Sequence, residues 1–99
     1  MKLRFDPRAI QDLRDIHSFI KQHGPPQSAE RVRVHLRNRI ERLADHPLIG
    51  RQSSIADVRV LPPTRFPYRI YYTILADTVV ILHIRHTSRR EPDPVDGIG

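Results

Sequence analysis

The chain has 99 residues, no cysteine, and 17 lysines and arginines against 11 acidic residues, which gives a formal net charge of +6. This length suits one small domain with one core, and the lack of cysteine excludes disulfides, thiol nucleophiles and thiolate metal sites. Almost all the cations are arginine, whose planar guanidinium pairs well with phosphate and carboxylate, so nucleic acid or an acidic partner is favoured. No apolar run is long enough for a membrane span or an export signal, and we therefore expect a cytoplasmic protein.

The N-terminal quarter predicts a strand followed by a helix. Residues 2–5 alternate between polar and apolar side chains, as in a half-buried strand. Asp6 can cap the next helix, and Pro7 suits a first helical position. A helix over about residues 7–22 follows, because apolar residues recur at helical spacing: Ala9, Leu13, Ile16, Phe19 and Ile20. Residues 23–26, His-Gly-Pro-Pro, end it with a glycine that tolerates left-handed conformation and two prolines.

A second helix is predicted from one apolar stripe: Ala29, Val32, Leu36, Ile40 and Leu43. His46-Pro47 closes this helix. Most of its arginines lie off the stripe. Two amphipathic helices joined by a tight break form an antiparallel hairpin, whose apolar stripes need a flat partner to cover.

The second half of the chain supplies that partner. Residues 47–57 predict a connecting loop, and residues 58–61 a strand. Residues 68–75 and 78–86 then form two strands joined by a turn at Ala76-Asp77. With that turn, alternation divides the hairpin into two faces. One face carries Ile70, Tyr72, Ile74, Val79, Ile81, His83 and Arg85, and the other Arg69, Tyr71, Thr73, Val80, Leu82, Ile84 and His86.

These elements predict an α+β fold in which an N-terminal strand and a two-helix antiparallel hairpin pack on a small antiparallel sheet. We expect a single domain over residues 1–90. Residues 91–99, rich in proline, glycine and aspartate, should form a loosely ordered tail.

Positive charge is concentrated in the predicted sheet. The stretch from Val58 to Arg90 has one acid, Asp77, and six arginines: Arg59, Arg65, Arg69, Arg85, Arg89 and Arg90. Charge of one sign on a small sheet is typical of a surface for a polyanion or an acidic protein. We take Arg65, Arg69, Arg85, His86, Arg89 and Arg90 as candidates for binding a target.

Two kinds of chemistry can be weighed for the histidines. A metal site is not favoured, because the histidines are scattered and His83 and His86 fall on opposite faces of one strand unless a bulge intervenes. A metal-independent RNase needs cations around the scissile phosphate and a proton donor or acceptor, which His86 could be. The simpler alternative is a solvated basic patch that binds an acidic partner. We expect no cofactor.

The order of elements and several segments resemble one family over almost the whole chain. These segments are residues 9–20, Ala29-Glu30-Arg31, residues 40–51 (Ile-Glu-Arg-Leu-Ala-Asp-His-Pro-Leu-Ile-Gly-Arg), Tyr68-Arg69-Ile70-Tyr71-Tyr72, and residues 79–86. In this combination the chain resembles the RelE/ParE toxins of bacterial type II toxin–antitoxin systems. The resemblance implies a small toxin neutralised by a co-encoded antitoxin whose C-terminal segment wraps it, and hence a hetero-oligomer.

Two branches of that family imply different targets. RelE-like toxins cleave messenger RNA in the ribosomal A site, whereas ParE-like toxins poison DNA gyrase. Of the residues that the nuclease branch uses, Arg59, Arg69 and Arg89 are matched. Leu61 stands where a second cation is expected, and no tyrosine follows Tyr72.

The segment His46-Pro47-Leu48-Ile49-Gly50 looks more ParE-like, so gyrase inhibition without catalysis is the favoured reading. The alternative is an RNase that uses Arg59, Arg69, His86 and Arg89. For the antitoxin, the candidate contacts are Arg33, Arg37, Arg39 and Tyr71.

Overall fold

The computed structural model describes residues 1–88 and contains two helices and five strands. Arg89, Arg90 and the predicted tail 91–99 lie outside the described residues. The elements are β1 (Lys2–Phe5), α1 (Pro7–His23), α2 (Ser28–Asp45), β2 (Arg51–Gln52), β3 (Arg59–Leu61), β4 (Tyr68–Leu75) and β5 (Thr78–His86).

The start of α1 follows the predicted capping arrangement. The Asp6 carboxylate accepts a hydrogen bond from the Arg8 backbone N–H, and Pro7 occupies the first helical turn. The Arg8 side chain also hydrogen-bonds this carboxylate, which lowers the Asp6 pKa. At the other end, Gly24 has φ −134° and is extended, not left-handed as predicted. A Cβ there would lie 3.1 Å from the Ile20 carbonyl oxygen, so the glycine provides space for the chain to leave the helix.

The α+β fold predicted from the sequence is confirmed: α1 and α2 pack together on one sheet. The strand order is β1-β5-β4-β3-β2. β1 runs parallel to β5 and the other pairs are antiparallel, so the sheet is mixed. The predicted loop 47–57 contains one short edge strand, β2, paired with β3.

Apolar residues form a cluster on each face of the sheet. The cluster under the helices joins the α2 stripe to Ile70, Tyr72, Val79, Ile81 and Ile84. The cluster on the other face, which we call the open face because neither α1 nor α2 packs on it, contains Val58, Val60, Tyr71, Val80 and Leu82, with Ile55 of the preceding loop packed against it. Apolar side chains are therefore buried on both faces of the sheet.

The segment after α2 is fixed by a buried tyrosine. The Tyr72 hydroxyl donates to the Pro47 carbonyl oxygen at 2.7 Å and accepts from the Gly50 backbone N–H at 2.9 Å. A Cβ at Gly50 would lie 2.6 Å from the Tyr72 hydroxyl oxygen, which is closer than side chains approach. The sequence from Pro47 to Gly50 therefore positions the end of α2 against the sheet.

Candidate target-binding and antitoxin-binding surfaces

A β-bulge decides which side chains share a face at the end of β5. Tyr72 pairs with Ile81 and Tyr71 pairs with His83, so Leu82 is an extra residue on β5. An extra residue reverses the alternation beyond it. The predicted assignment of Ile84 to the open face is consequently wrong, since Ile84 lies in the cluster under the helices.

The bulge also moves Arg85 relative to Arg69. Simple alternation placed these two residues on opposite faces, but the register pairs them directly. Directly opposite residues of antiparallel strands point to the same side, and like charges there repel. The structure thus brings together two of the predicted target-binding cations.

Asp12 on α1 holds the bulge in place. Its Oδ2 accepts a hydrogen bond from the Ile84 backbone N–H at 3.0 Å and lies 2.9 Å from the His83 Nδ1. The carboxylate therefore serves the backbone group next to the irregular part of β5. Asp12 is not among the functional residues predicted from the sequence, although an acid three residues after Ala9 and four before Ile16 lies beside the apolar stripe of α1.

The local hydrogen bonds of His86 define its tautomer. The Ser88 backbone N–H donates to the His86 Nδ1 at 3.0 Å, and the Ser88 hydroxyl lies 2.9 Å from the same nitrogen. Because Nδ1 accepts, the neutral ring carries its proton on Nε2. His86 is exposed, and the edge of its ring contacts Tyr68, with centroids 5.5 Å apart. It can therefore act as a hydrogen-bond donor to a ligand.

A cavity of about 570 Å³ separates α1 from the end of β5. His83 and His86 both line it, contrary to the opposite placement that alternation predicted without a bulge. Asp12, Asp15, Phe19 and Tyr68 complete much of the wall. Burial raises the pKa of Tyr68, so its hydroxyl remains a donor. Within residues 1–88, no group of three or more potential ligands is arranged to hold a metal ion.

Arg59 and Arg65 lie apart from this cavity. The Arg59 Nη1 donates to the Gly50 carbonyl oxygen at 2.6 Å, so this guanidinium stabilises the loop after α2. Arg65 is exposed next to α2, with φ 67° and its guanidinium 5.6 Å from the centre of the Phe66 ring. Leu61 is buried. The candidate cations of the nuclease branch therefore do not form one continuous surface within the described residues.

The candidates for antitoxin binding are also divided. A groove of about 470 Å³ between α1 and α2 has an apolar floor that includes Leu13, Ile16, Leu36 and Ile40. Its rim carries four basic or ionisable side chains, Arg14, His17, Arg33 and Arg37. Two of the four candidates, Arg33 and Arg37, thus line this helical groove.

The other two antitoxin candidates lie elsewhere. Arg39 is half-buried, and burial lowers its pKa. Tyr71 is 1% exposed and belongs to the cluster on the open face of the sheet. Its side chain is consequently part of the core of the free chain.

No helix among residues 1–88 is both long and apolar enough to cross a membrane.

Comparison with known proteins gives one consistent result. Residues 3–91 match the family model described as the ParE toxin of the type II toxin–antitoxin system parDE. The putative toxin Y4kP of Sinorhizobium fredii is 32% identical over 91 residues, which cover 92% of this chain and 93% of that protein. Toxin RelE2 of Caulobacter vibrioides is 33% identical over 84 residues, covering 83% and 90%.

Solved structures share the fold at low sequence identity. A structure of the chromosomal ParDE system from P. aeruginosa superposes with a TM-score of 0.79 at 23% identity, covering 87% of this chain and 95% of that one. The isolated E. coli RelE toxin gives 0.65 at 20% identity, covering 91% and 87%. The chain belongs to the ParE toxin family of type II toxin–antitoxin systems, within the RelE/ParE superfamily.

Proposed function

We propose that this toxin inhibits DNA gyrase by binding, without catalysis, and that a cognate antitoxin neutralises it in a hetero-oligomeric complex. The observation that carries the proposal is the match to the ParE family over residues 3–91.

Among residues 1–88, the positions that correspond to the catalytic residues of the nuclease branch also support gyrase binding over RNA cleavage. Arg59 is held by loop carbonyl groups at 2.6 Å and 3.4 Å, and Leu61 is buried where a nuclease of this superfamily would carry a second cation. A guanidinium occupied by backbone oxygens is less available to a phosphate. The remaining facing pair, Arg69 and Arg85, suits an acidic surface on a target protein.

The experiment is a cleavage assay with purified gyrase, supercoiled plasmid and ATP. We expect the toxin to increase the fraction of plasmid that is linear after detergent and protease treatment. The double variant Arg69→Gln/Arg85→Gln should reduce this effect at least about tenfold, since it removes both facing charges. Lys2→Gln/Lys21→Gln is the control with the same change in net charge. Unchanged gyrase activity with folded wild-type toxin would overturn the proposal.

An RNase is the second candidate, and the position of exposed His86 at the cavity wall near Arg85 favours it. An imidazolium form of His86 could transfer its Nε2 proton to a leaving oxygen and return to the neutral ring, and Arg69 and Arg85 could hold the phosphate. His86→Gln should then abolish messenger RNA cleavage on ribosomes while leaving antitoxin binding intact. If gyrase is the target, the same variant should retain its effect on gyrase within about threefold, because an exposed side chain contributes little to folding.

For the antitoxin, we infer that an amphipathic segment with acidic flanks docks in the helical groove. The groove combines an apolar floor with a basic rim, and this combination favours such a helix. Arg33 and Arg37 are the rim residues on α2.

A further inference from the structure

The side of α2 away from the helical groove is a second basic surface. Arg31, His35, Asn38 and Arg42 recur at intervals of three and four residues and therefore lie along one side of the helix, with Arg39 adjacent. Arg65 joins them, because it lines a shallow cavity of about 390 Å³ together with Arg31, His35 and Asn38, and Glu30 lies in the same wall. A contact of 2.8 Å between the His35 Nε2 and the Thr64 carbonyl oxygen fixes that loop to the helix. We call this surface the outer flank of α2.

Within the described residues, the arginines of the outer flank form no ion pair with an acid. Among residues 1–88, the acids of α2 that form ion pairs are Glu30 and Glu41, and their partners are Arg33 and Arg37, which line the groove; Glu30 is therefore neutralised although it borders the outer flank. No ion pair within the same range involves Arg31, Arg39, Arg42 or Arg65. Burial of Arg39 disfavours its charged form. A bound anion would offset the repulsion among the arginines of the flank, and it would also offset the cost of burying the charge of Arg39.

The outer flank also lacks the features of a protein-binding surface. The large apolar residues that are exposed in the described chain are Met1, Ile10, Phe19, Leu48, Ile49 and Leu75, and none lies on α2. Protein partners are usually anchored by such residues, especially aromatic ones. The ring of Phe66 already packs against His35 and Arg65, with 5.2 Å between the ring centres and 5.6 Å from the Arg65 guanidinium to the Phe66 ring centre. This argues against single-stranded nucleic acid, which binds largely by stacking.

We propose that the outer flank of α2 binds the phosphate backbone of double-stranded DNA without reading its sequence. Arg31 and Arg42 are separated by eleven residues, about 16 Å along a helix. Duplex DNA carries a charge about every 1.7 Å along its axis, so the arginines of the flank can each lie near a phosphate. The inference rests on the proposed function, since gyrase acts on duplex DNA. The flank would hold DNA in the ternary complex while another surface contacts gyrase.

The test is fluorescence anisotropy with the full-length toxin and a 20-base-pair DNA duplex of arbitrary sequence between 50 and 200 mM salt. Contacts to three or four phosphates predict a slope of about −3 for log K against log salt. Arg31→Gln/Arg42→Gln/Arg65→Gln should weaken binding at least about tenfold and bring the slope close to zero. All three positions are exposed, glutamine suits the helical positions 31 and 42, and Arg65 lies in a loop, so circular dichroism should show an unchanged fold.

The matched control is Lys2→Gln/Arg4→Gln/Lys21→Gln, which removes three cations from β1 and α1. It should bind the duplex within about threefold of the wild type, because these cations lie outside the flank. Equal losses in the two triple variants would overturn the proposal in favour of general electrostatic attraction. Tighter binding of the single strand, of duplex RNA or of poly-glutamate than of duplex DNA would also overturn it.

Gyrase assays separate this inference from the proposed function. If the outer-flank variant loses DNA affinity and its gyrase inhibition falls with it, both ideas are supported. Loss of DNA affinity with unchanged gyrase inhibition would overturn the role of the flank in the ternary complex and leave gyrase inhibition standing. A wild-type toxin that binds duplex DNA but never inhibits gyrase would overturn the proposed function instead.

Discussion

The two sides of α2 use the same residue type for different purposes. On the groove side, Arg33 and Arg37 pair with Glu30 and Glu41 at the edge of an apolar floor. On the outer flank, Arg31 and Arg42 have no ion pair within residues 1–88 and no exposed apolar neighbour on the helix. Charge alone does not distinguish these surfaces. The acids and apolar groups beside each arginine do, and they separate a surface suited to an amphipathic peptide from one suited to a phosphate backbone.

The largest expected effect comes from a change at the anchored end of α2, because both sides of this helix depend on that anchor. Gly50→Ala would place a methyl group 2.6 Å from the Tyr72 hydroxyl oxygen. We expect a loss of about 3 kcal/mol in the free energy of unfolding, as for overpacked cores. Urea denaturation followed by circular dichroism measures it. Antitoxin and DNA binding should decline in parallel; a loss of only one would mean that this anchor supports one side specifically.

A smaller loss should follow from perturbing α1, which borders the groove but not the outer flank. Asp12→Ala leaves the Ile84 N–H and the His83 Nδ1 without the acceptor they share. The free energy of unfolding should fall by about 2 kcal/mol. Thermal denaturation measures this, and hydrogen exchange at Ile84 should accelerate. Asp12→Asn retains one acceptor and is expected to lose about half as much. Equal stability of both variants and the wild type would show that Asp12 does not hold the bulge.

Charge reversal compares the two sides directly. Arg33→Glu/Arg37→Glu should weaken binding of the cognate antitoxin about tenfold to thirtyfold, because it repels an acidic segment at the groove rim. Arg31→Glu/Arg42→Glu changes net charge equally on the same helix and should alter that affinity less than about threefold. Isothermal titration calorimetry gives both values. Similar losses for the two pairs would mean that the antitoxin covers both sides.

The smallest effect concerns the cap of α1 and its dependence on pH. The hydrogen bond from the Arg8 side chain is the main cause of the lowered Asp6 pKa. A carboxylate whose pKa is lower in the folded state stabilises it above the unfolded pKa of about 3.9, and this contribution disappears as pH falls through the folded value. Asp6→Ala should cost about 1 kcal/mol at pH 7. The difference from the wild type should shrink below about pH 4, measured by urea denaturation; a constant difference would exclude the ionised cap.

Prediction from sequence succeeded where short-range patterns were strong. Asp6-Pro7 marked the start of α1, and the stripe from Ala29 to Leu43 marked the buried side of α2. The turn at Ala76-Asp77 also lies where strand spacing placed it, with Leu75 opposite Thr78. Ala76 adopts φ 53°, a left-handed conformation that alanine does not favour, so residue preference alone would have missed this turn.

The candidate site was harder to predict, because one extra residue in β5 altered the outcome. Strict alternation assigned Ile84 and His86 to the open face, whereas the bulge at Leu82 places Ile84 under the helices and His86 at the cavity beside α1. The charge excess of residues 58–90 suggested one basic surface. The described arginines of that stretch instead serve a loop, a cross-strand pair and the outer flank of α2.

The sequence by itself determined the helices, the hairpin of β4 and β5, and the family, because each depends on periodicity or on residues close together in the chain. Tertiary structure alone decided which cations are neutralised and which remain available. That outcome depends on long-range approach, such as Asp12 to β5 across 72 residues and Arg59 to the carbonyl groups after α2. Electrostatic interactions fall steeply with distance and screening, so the positions of partners, and not the number of charges, determine where a ligand can bind.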